Sequence, residues 1–175
     1  MARVLILFSS TDGHTIKICN RLKQVIEKNE NQVVVCPVED FRQQDLPSFD
    51  KIILGASVRY GKHHKRVYDF INSNLLLLAS KPNAFFSVNI VARKPAKNTP
   101  ETNPYLLKFF KEIAWQPNEL AVFAGKLDYP KYGFFDRLMI RLIMLITHGP
   151  TDPTTVVEFT DWQKVDAFAR RVSAR

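Results

Sequence analysis

Cysteine is scarce in this chain of 175 residues: Cys19 and Cys36 are the only two, and their spacing matches neither a redox pair nor a zinc site. Both read as buried thiols. Glycine is scarce too, at six residues, so the spaced glycines of a dinucleotide fingerprint and the Gly-Lys of a P-loop are missing. No apolar run reaches the eighteen or so residues that a membrane span needs, and Val4 to Phe8 is far too short for a secretory core. The expectation is a cytoplasmic chain. Metal binding is not expected, because the His63-His64 pair has no third ligand nearby.

With 46% apolar residues the chain is long enough for one domain with a real core, taken as residues 1–175. The formal charge of +8 calls for an acidic partner. Short apolar runs recur at Val4 to Phe8, Gln32 to Cys36, Lys51 to Ala56, Ala84 to Val91 and Leu120 to Ala124. Helical periodicity fills the gaps, with Cys19, Leu22, Val25 and Ile26 on one face and Val67, Phe70, Ile71, Leu75 and Leu78 on another. A capping pattern at Thr160 to Gln163 opens the last helix. This alternation predicts an α/β domain with a doubly wound parallel sheet covered on both faces. Ligands in such sheets sit beyond the carboxyl ends of the strands, so the loops opening at Ser9, Ser57 and Ala92 should share one edge.

The first of these loops carries the clearest chemistry. Val4 to Thr15 reads VLILFSSTDGHT, a buried strand running into hydroxyls and a helix start. Backbone amides, the hydroxyls of Ser9, Ser10, Thr11 and Thr15, and a turn at Gly13 would converge on one anion at the positive end of the helix. The loop suits a terminal monophosphate, and a monophosphate with ligand loops after the third and fourth strands points to FMN. An ordinary capped strand-to-helix turn is the alternative.

After the third strand, Gly55 to His64 offers small residues that let a ring approach, then Tyr60 to stack on it. Arg59 and Lys62 are candidates for an anion, since cations in a first helical turn are unfavourable without one. His63 and His64 invite proton transfer, although neighbours on a helix point about 100° apart and at most one would face a site. Ala92 to Pro104 reads as a long ordered loop with the bases Arg93, Lys94 and Lys97. A second surplus segment spans about 126–153, near the fifth strand. Within it, Phe134 to Ile146 would form a helix roughly 20 Å long, too short to cross a bilayer core of roughly 30 Å, with Arg137, Arg141 and His148 on a narrow polar face. It reads either as a core helix or as one lying in a membrane surface or walling an apolar ligand. Nucleic-acid binding is not expected, because the bases cluster at ligand-edge loops without a recognition-helix signature.

Ser10-Thr11-Asp12-Gly13-His14-Thr15 resembles the FMN phosphate loop of flavodoxins, with Asp12 where many carry threonine; the carboxylate would have to turn outward or cap the helix. Together with Ser57 to Gly61, Phe86-Ser87-Val88-Asn89-Ile90-Val91-Ala92-Arg93-Lys94-Pro95, Tyr129 to His148 and Thr160 to Trp162, the chain resembles the bacterial flavodoxin-like, quinone-dependent protoporphyrinogen IX dehydrogenases nearly end to end. The resemblance implies a five-stranded parallel sheet of order 2-1-3-4-5 and non-covalent FMN. It implies oxidation of protoporphyrinogen IX in haem biosynthesis, with menaquinone or ubiquinone as acceptor, at the cytoplasmic face of the inner membrane by peripheral contact. Residues 10 to 15 would hold the phosphate. Ser57, Val58, Arg59, Tyr60, Ser87, Val88, Asn89, Ala92 and Arg93 would frame the ring. Arg59, Lys62, Arg93 and Lys94 are candidates for the substrate carboxylates. A flavodoxin-type electron carrier and an NAD(P)H-quinone reductase remain alternatives, and a homo-oligomer stays open.

Overall fold

The computed structural model describes residues 1–175. Its elements run in the order β1 (Arg3–Ser9), α1 (His14–Glu27), β2 (Gln32–Pro37), β3 (Lys51–Arg59), β4 (Lys62–His63), α2 (Lys65–Ser73), α3 (Leu75–Ser80), β5 (Asn83–Asn89), α4 (Pro104–Glu112), β6 (Glu119–Ala124), β7 (Lys126–Asp128), α5 (Phe134–Ile146), β8 (Val156–Glu158) and α6 (Trp162–Ala174). Five parallel strands make the main sheet in the order β2-β1-β3-β5-β6, which is the expected flavodoxin-like winding. The two-residue β4 folds back antiparallel on the end of β3.

Period-two alternation sorts the strand side chains into two cores. Leu5, Leu7, Ile52, Leu54, Phe85 and Val122 face α2, α3 and α4. Val4, Ile6, Ile53, Phe86, Ala121 and Phe123 face α1 and α6. Every strand of the sheet's centre is therefore apolar on both sides, as a parallel sheet covered by helices requires. The buried Lys51 is not an error in this scheme: its Nζ donates to the carbonyls of Val172 and Ser173 at 2.9 Å each, capping the negative end of α6.

Two local readings change. The helical stretch from Val67 to Leu78 is broken at Asn74, whose side chain donates to Phe70 O and whose backbone leaves the helical region, so α2 and α3 are separate. His63 and His64 are not helical neighbours. His63 lies in β4 and is buried, while His64 caps α2 by accepting from Arg66 N–H.

The segment between β6 and α6 carries its own small core. An antiparallel ladder of β7 and β8 closes its base, and Leu127, Tyr129, Tyr132 and Met144 pack together above that ladder. Helix α5 covers the expected range, yet Met144 is its only buried residue. Phe134, Phe135, Leu138, Leu142, Leu145 and Ile146 are exposed, Phe134 by 76%.

Candidate functional site

A cleft of about 360 Å³ opens at the carboxyl ends of β1, β3, β5 and β6, within the range of small-molecule sites. Its floor is the loop from Ser10 to Thr15. Gly13 takes φ 83°, a left-handed value that glycine accepts without strain, and its N–H donates to Ser10 Oγ at 3.0 Å. No side chain caps α1, and a Cβ built on Gly13 would meet nothing within 4 Å. The helix therefore presents its first-turn amides to an open cradle, which is what an anion needs.

One wall comes from the turn after β3. Tyr60 sits at φ 52° and Gly61 at φ 74°, so two successive left-handed residues reverse the chain into β4. This lifts the Tyr60 ring out beside the cleft, where it is 60% exposed. The opposite wall comes from Val88, Asn89 and Ile90 at the end of β5, with Tyr105 from α4. The segment after β6 supplies the remainder: Leu127, Tyr132, Ile140 and Ile143 are apolar, and Lys126, Asp128 and Lys131 are charged. Apolar and aromatic walls above an anion cradle fit a planar ring with a phosphate tail.

Of the residues expected from sequence, Ser10, Asp12, Gly13, His14, Thr15, Ser57, Val58, Arg59, Tyr60, Val88 and Asn89 line the cleft. The others do not. Thr11 stands beside it, with Oγ1 3.4 Å from Ser57 Oγ. Ser87 is fully buried between His63 Nε2 at 2.8 Å and Asn89 Nδ2 at 3.2 Å, and Ala92 is packed into the core. Lys62 is exposed on β4, and Lys94 follows a 3-10 turn outside the cleft. The Arg93 guanidinium is spent on structure: it donates to Ile90 O, Thr147 O and Thr147 Oγ1, which ties the β5 loop to the end of α5. Its long arm reaches a carbonyl 54 residues away, which local basic clustering does not reveal.

Sequence reasoning did not single out Lys17, Gly125 to Asp128, Lys131, Tyr132 and Glu158 as cleft residues. The usable signal was the end of β6, since the fifth strand of the row should also deliver a loop to the ligand edge.

The charges of the cleft form two one-to-one pairs and one shared contact. Arg59 meets Asp12 at 2.5 Å, and Lys17 meets Glu158 at 2.8 Å. Lys126 and Lys131 share Asp128, at 3.1 and 3.7 Å. Burial raises the Asp12 carboxyl above its ordinary value, and the nearby Asp136 and Asp128 add to this against the pull of Arg59. His14 is pushed down by burial, outweighing the attraction of Glu158, and so stays neutral at pH 7. Its Nε2 lies 2.6 Å from Thr160 Oγ1, and that hydroxyl donates to Ala124 O at 2.7 Å. His14 Nε2–H is thus the donor, and the contact fixes the start of α1 against the end of β6.

Residues 5–154 match the family model described as a flavodoxin domain. The chain is 42% identical over 171 residues to the "Protoporphyrinogen IX dehydrogenase [quinone]" of Escherichia coli strain K12, covering 98% of this chain and 94% of that one. It is 40% identical to the protein of the same name from Leishmania major, over 98% of this chain and 75% of the relative. Among solved structures, oxidised flavodoxin 2 from Bacillus cereus superposes with a TM-score of 0.59 at 19% identity, over 99% of both chains. A flavodoxin from the domain Archaea gives 0.57 at 16% identity, over 98% and 96% of the two chains.

Proposed function

The chain belongs to the flavodoxin family, and from that premise we propose that it is an FMN-dependent oxidoreductase that converts protoporphyrinogen IX to protoporphyrin IX and passes the electrons to a membrane quinone. The observation that carries the reading is the composition of the cleft. A flavin-type floor is joined by a wall of Leu127, Tyr132, Ile140 and Ile143 with lysines at 126 and 131, from a segment that an electron carrier does not need. That wall suits a large apolar ring bearing carboxylates.

When bound, FMN supplies the exchange of two electrons at a time between a C–H donor and a quinone, so three rounds complete the oxidation. The protein's part is positional. Ser10, Gly13, His14 and Thr15 would hold the phosphate through amides and hydroxyls, as the uncapped start of α1 allows, with Thr11 beside them. Val58, Tyr60, Val88 and Asn89, which line the cleft, would border the flavin ring. Tyr132, Ile140 and Ile143 cover the cleft from the other side, keeping water from the reacting ring and orienting an apolar substrate. Among the cations expected to meet substrate carboxylates, Arg59 alone lines the cleft; Lys126 and Lys131 join it there, while Lys62, Arg93 and Lys94 lie elsewhere.

Both porphyrinogen and quinone partition into lipid, and α5 offers a way to meet them. No helix is long and apolar enough to cross a membrane. The exposed face of α5, with Arg141 among its apolar residues, instead suits peripheral contact with an anionic bilayer on the cytoplasmic side.

The test is anaerobic purification, a flavin spectrum, and a porphyrin fluorescence assay with added quinone. Bound or bindable FMN and quinone-dependent fluorescence are expected. Absence of FMN binding overturns the proposal; FMN cycling with no porphyrinogen oxidation favours a carrier, and rapid flavin reduction by a nicotinamide favours a quinone reductase.

A further inference from the structure

We propose that Arg59 is a positioning residue for the cofactor phosphate: it pairs with Asp12 so that a carboxylate inside the phosphate loop does not repel the anion which that loop holds. The inference rests on the FMN reading above. Asp12 directly precedes Gly13, the residue from which α1 starts, and it lines the same cleft as Ser10 and Thr15. A free carboxylate there faces the place where a phosphate dianion would sit, and like charges at that range oppose binding.

The geometry shows how the charge is managed. Arg59 Nη2 lies 2.5 Å from Asp12 Oδ2, across 47 residues of sequence. The Arg59 side chain is only 17% exposed, so this pair is shielded more than an ordinary surface ion pair. A second contact fixes the arginine: its guanidinium lies over the Tyr132 ring, 5.4 Å from the centroid. Asp136 and Asp128 also act on Asp12 as like charges, and Arg59 is the cation that acts directly on it. Lys17, Lys126 and Lys131 line the cleft too, but each is held by Glu158 or Asp128, so without Arg59 no cation would be paired with Asp12. The same pairing makes the phosphate loop and the segment carrying Tyr132 share one arginine, so the loop is fixed in register with the cleft wall.

Riboflavin, which has the ring but no phosphate, separates a charge effect from a packing effect. The full chain freed of flavin would be titrated with FMN and with riboflavin by flavin fluorescence, as the unaltered protein, Arg59→Gln, Asp12→Asn and the double variant. The single Arg59→Gln change should weaken FMN binding about tenfold, between the bulk-water and protein-surface limits for like charges. Asp12→Asn should bind FMN at least as tightly as the unaltered protein, and the double variant should recover most of the loss. Riboflavin affinity should stay the same throughout.

Three results would overturn the inference. They are FMN affinity unchanged in Arg59→Gln, FMN and riboflavin weakened alike by either single change, or no recovery in the double variant. An unaltered protein that binds riboflavin as tightly as FMN would remove the phosphate site itself; one that binds neither flavin ends the functional reading, and this inference with it.

Discussion

The Tyr60 hydroxyl donates to the Asp136 carboxylate, so the turn after β3 holds the first turn of α5 across 76 residues of sequence. Its neighbour Arg59 lies over Tyr132 in the same segment, and two successive residues therefore grip the cleft's outer wall. The left-handed backbone at Tyr60 makes this possible by turning the ring outward. The bond raises the Tyr60 hydroxyl above its ordinary value, which keeps the proton on tyrosine.

Replacing Tyr60 with Phe removes the bond and keeps the ring. Because the pair is exposed, the change should raise the substrate KM only about threefold, at the low end for a single hydrogen bond. Amide exchange in α5 should speed up while that of β1 and β3 stays unchanged. Equal exchange in α5 would show that Arg59 and the small core under the helix hold it without Tyr60.

The exposed face of α5 makes a separate claim about membranes. Phe134, Leu138 and Leu145 are 76%, 56% and 66% exposed, so changing all three to Asn costs the fold little. If they enter lipid only in part, the triple variant should lose about a hundredfold in affinity for anionic vesicles. Sedimentation with vesicles measures it. Binding that survives the change, or that ignores salt, would remove α5 as the contact.

How much of this was legible in the sequence depended on distance along the chain. The alternation of strands and helices and the range of α5 follow from local periodicity, the strand order from the family resemblance, and all are as expected. Gly55 was read as space for a ring, and a ring does fill it, but it is Phe86 from the neighbouring strand: a Cβ there would overlap that side chain. His63 was read on a helix because a two-residue ladder has no period to detect. Arg93 and Lys126 exchanged significance, since one folds back onto Thr147 and the other reaches the cleft. Such partners are fixed by the tertiary path, which no local pattern encodes.

His63 should give the protein an acid-sensitive stability. It is buried between Phe85 and Phe109, with centroids at 5.6 and 4.7 Å, and burial pushes its imidazole down to about 3. The unfolded chain keeps the ordinary value near 6.5, so between the two it binds one more proton than the native state. Stability is then full above about pH 6.5 and falls as the pH drops toward 3; at pH 5 the loss from this group is about 2 kcal/mol. Urea unfolding at pH 7.5 and pH 5 measures it. In His63→Gln, which can still bond Ser87, the difference between the two pH values should shrink by that amount, and an unchanged difference would assign the acid sensitivity to other groups.

The cleft carries one more cation than it has carboxylates. Its lining holds four cations, Lys17, Arg59, Lys126 and Lys131, against three carboxylates, Asp12, Asp128 and Glu158. Lys17 and Arg59 each have a carboxylate to themselves, so the surplus sits where Lys126 and Lys131 share Asp128. Lys131 holds the longer contact and is the more exposed, at 67%, which leaves it free to meet a substrate carboxylate at the cleft mouth. Lys131→Gln keeps Lys126 on Asp128, so no buried acid is left unpaired. The KM for the diacid porphyrinogen should rise about fivefold with kcat nearly unchanged, the pattern of a lost screened charge contact made equally in ground and transition states. Its dimethyl ester carries no charge and should show the same KM for both proteins. A rise that affects ester and acid alike would mean that Lys131 shapes the wall without reading charge, and no rise for either would place the carboxylates elsewhere.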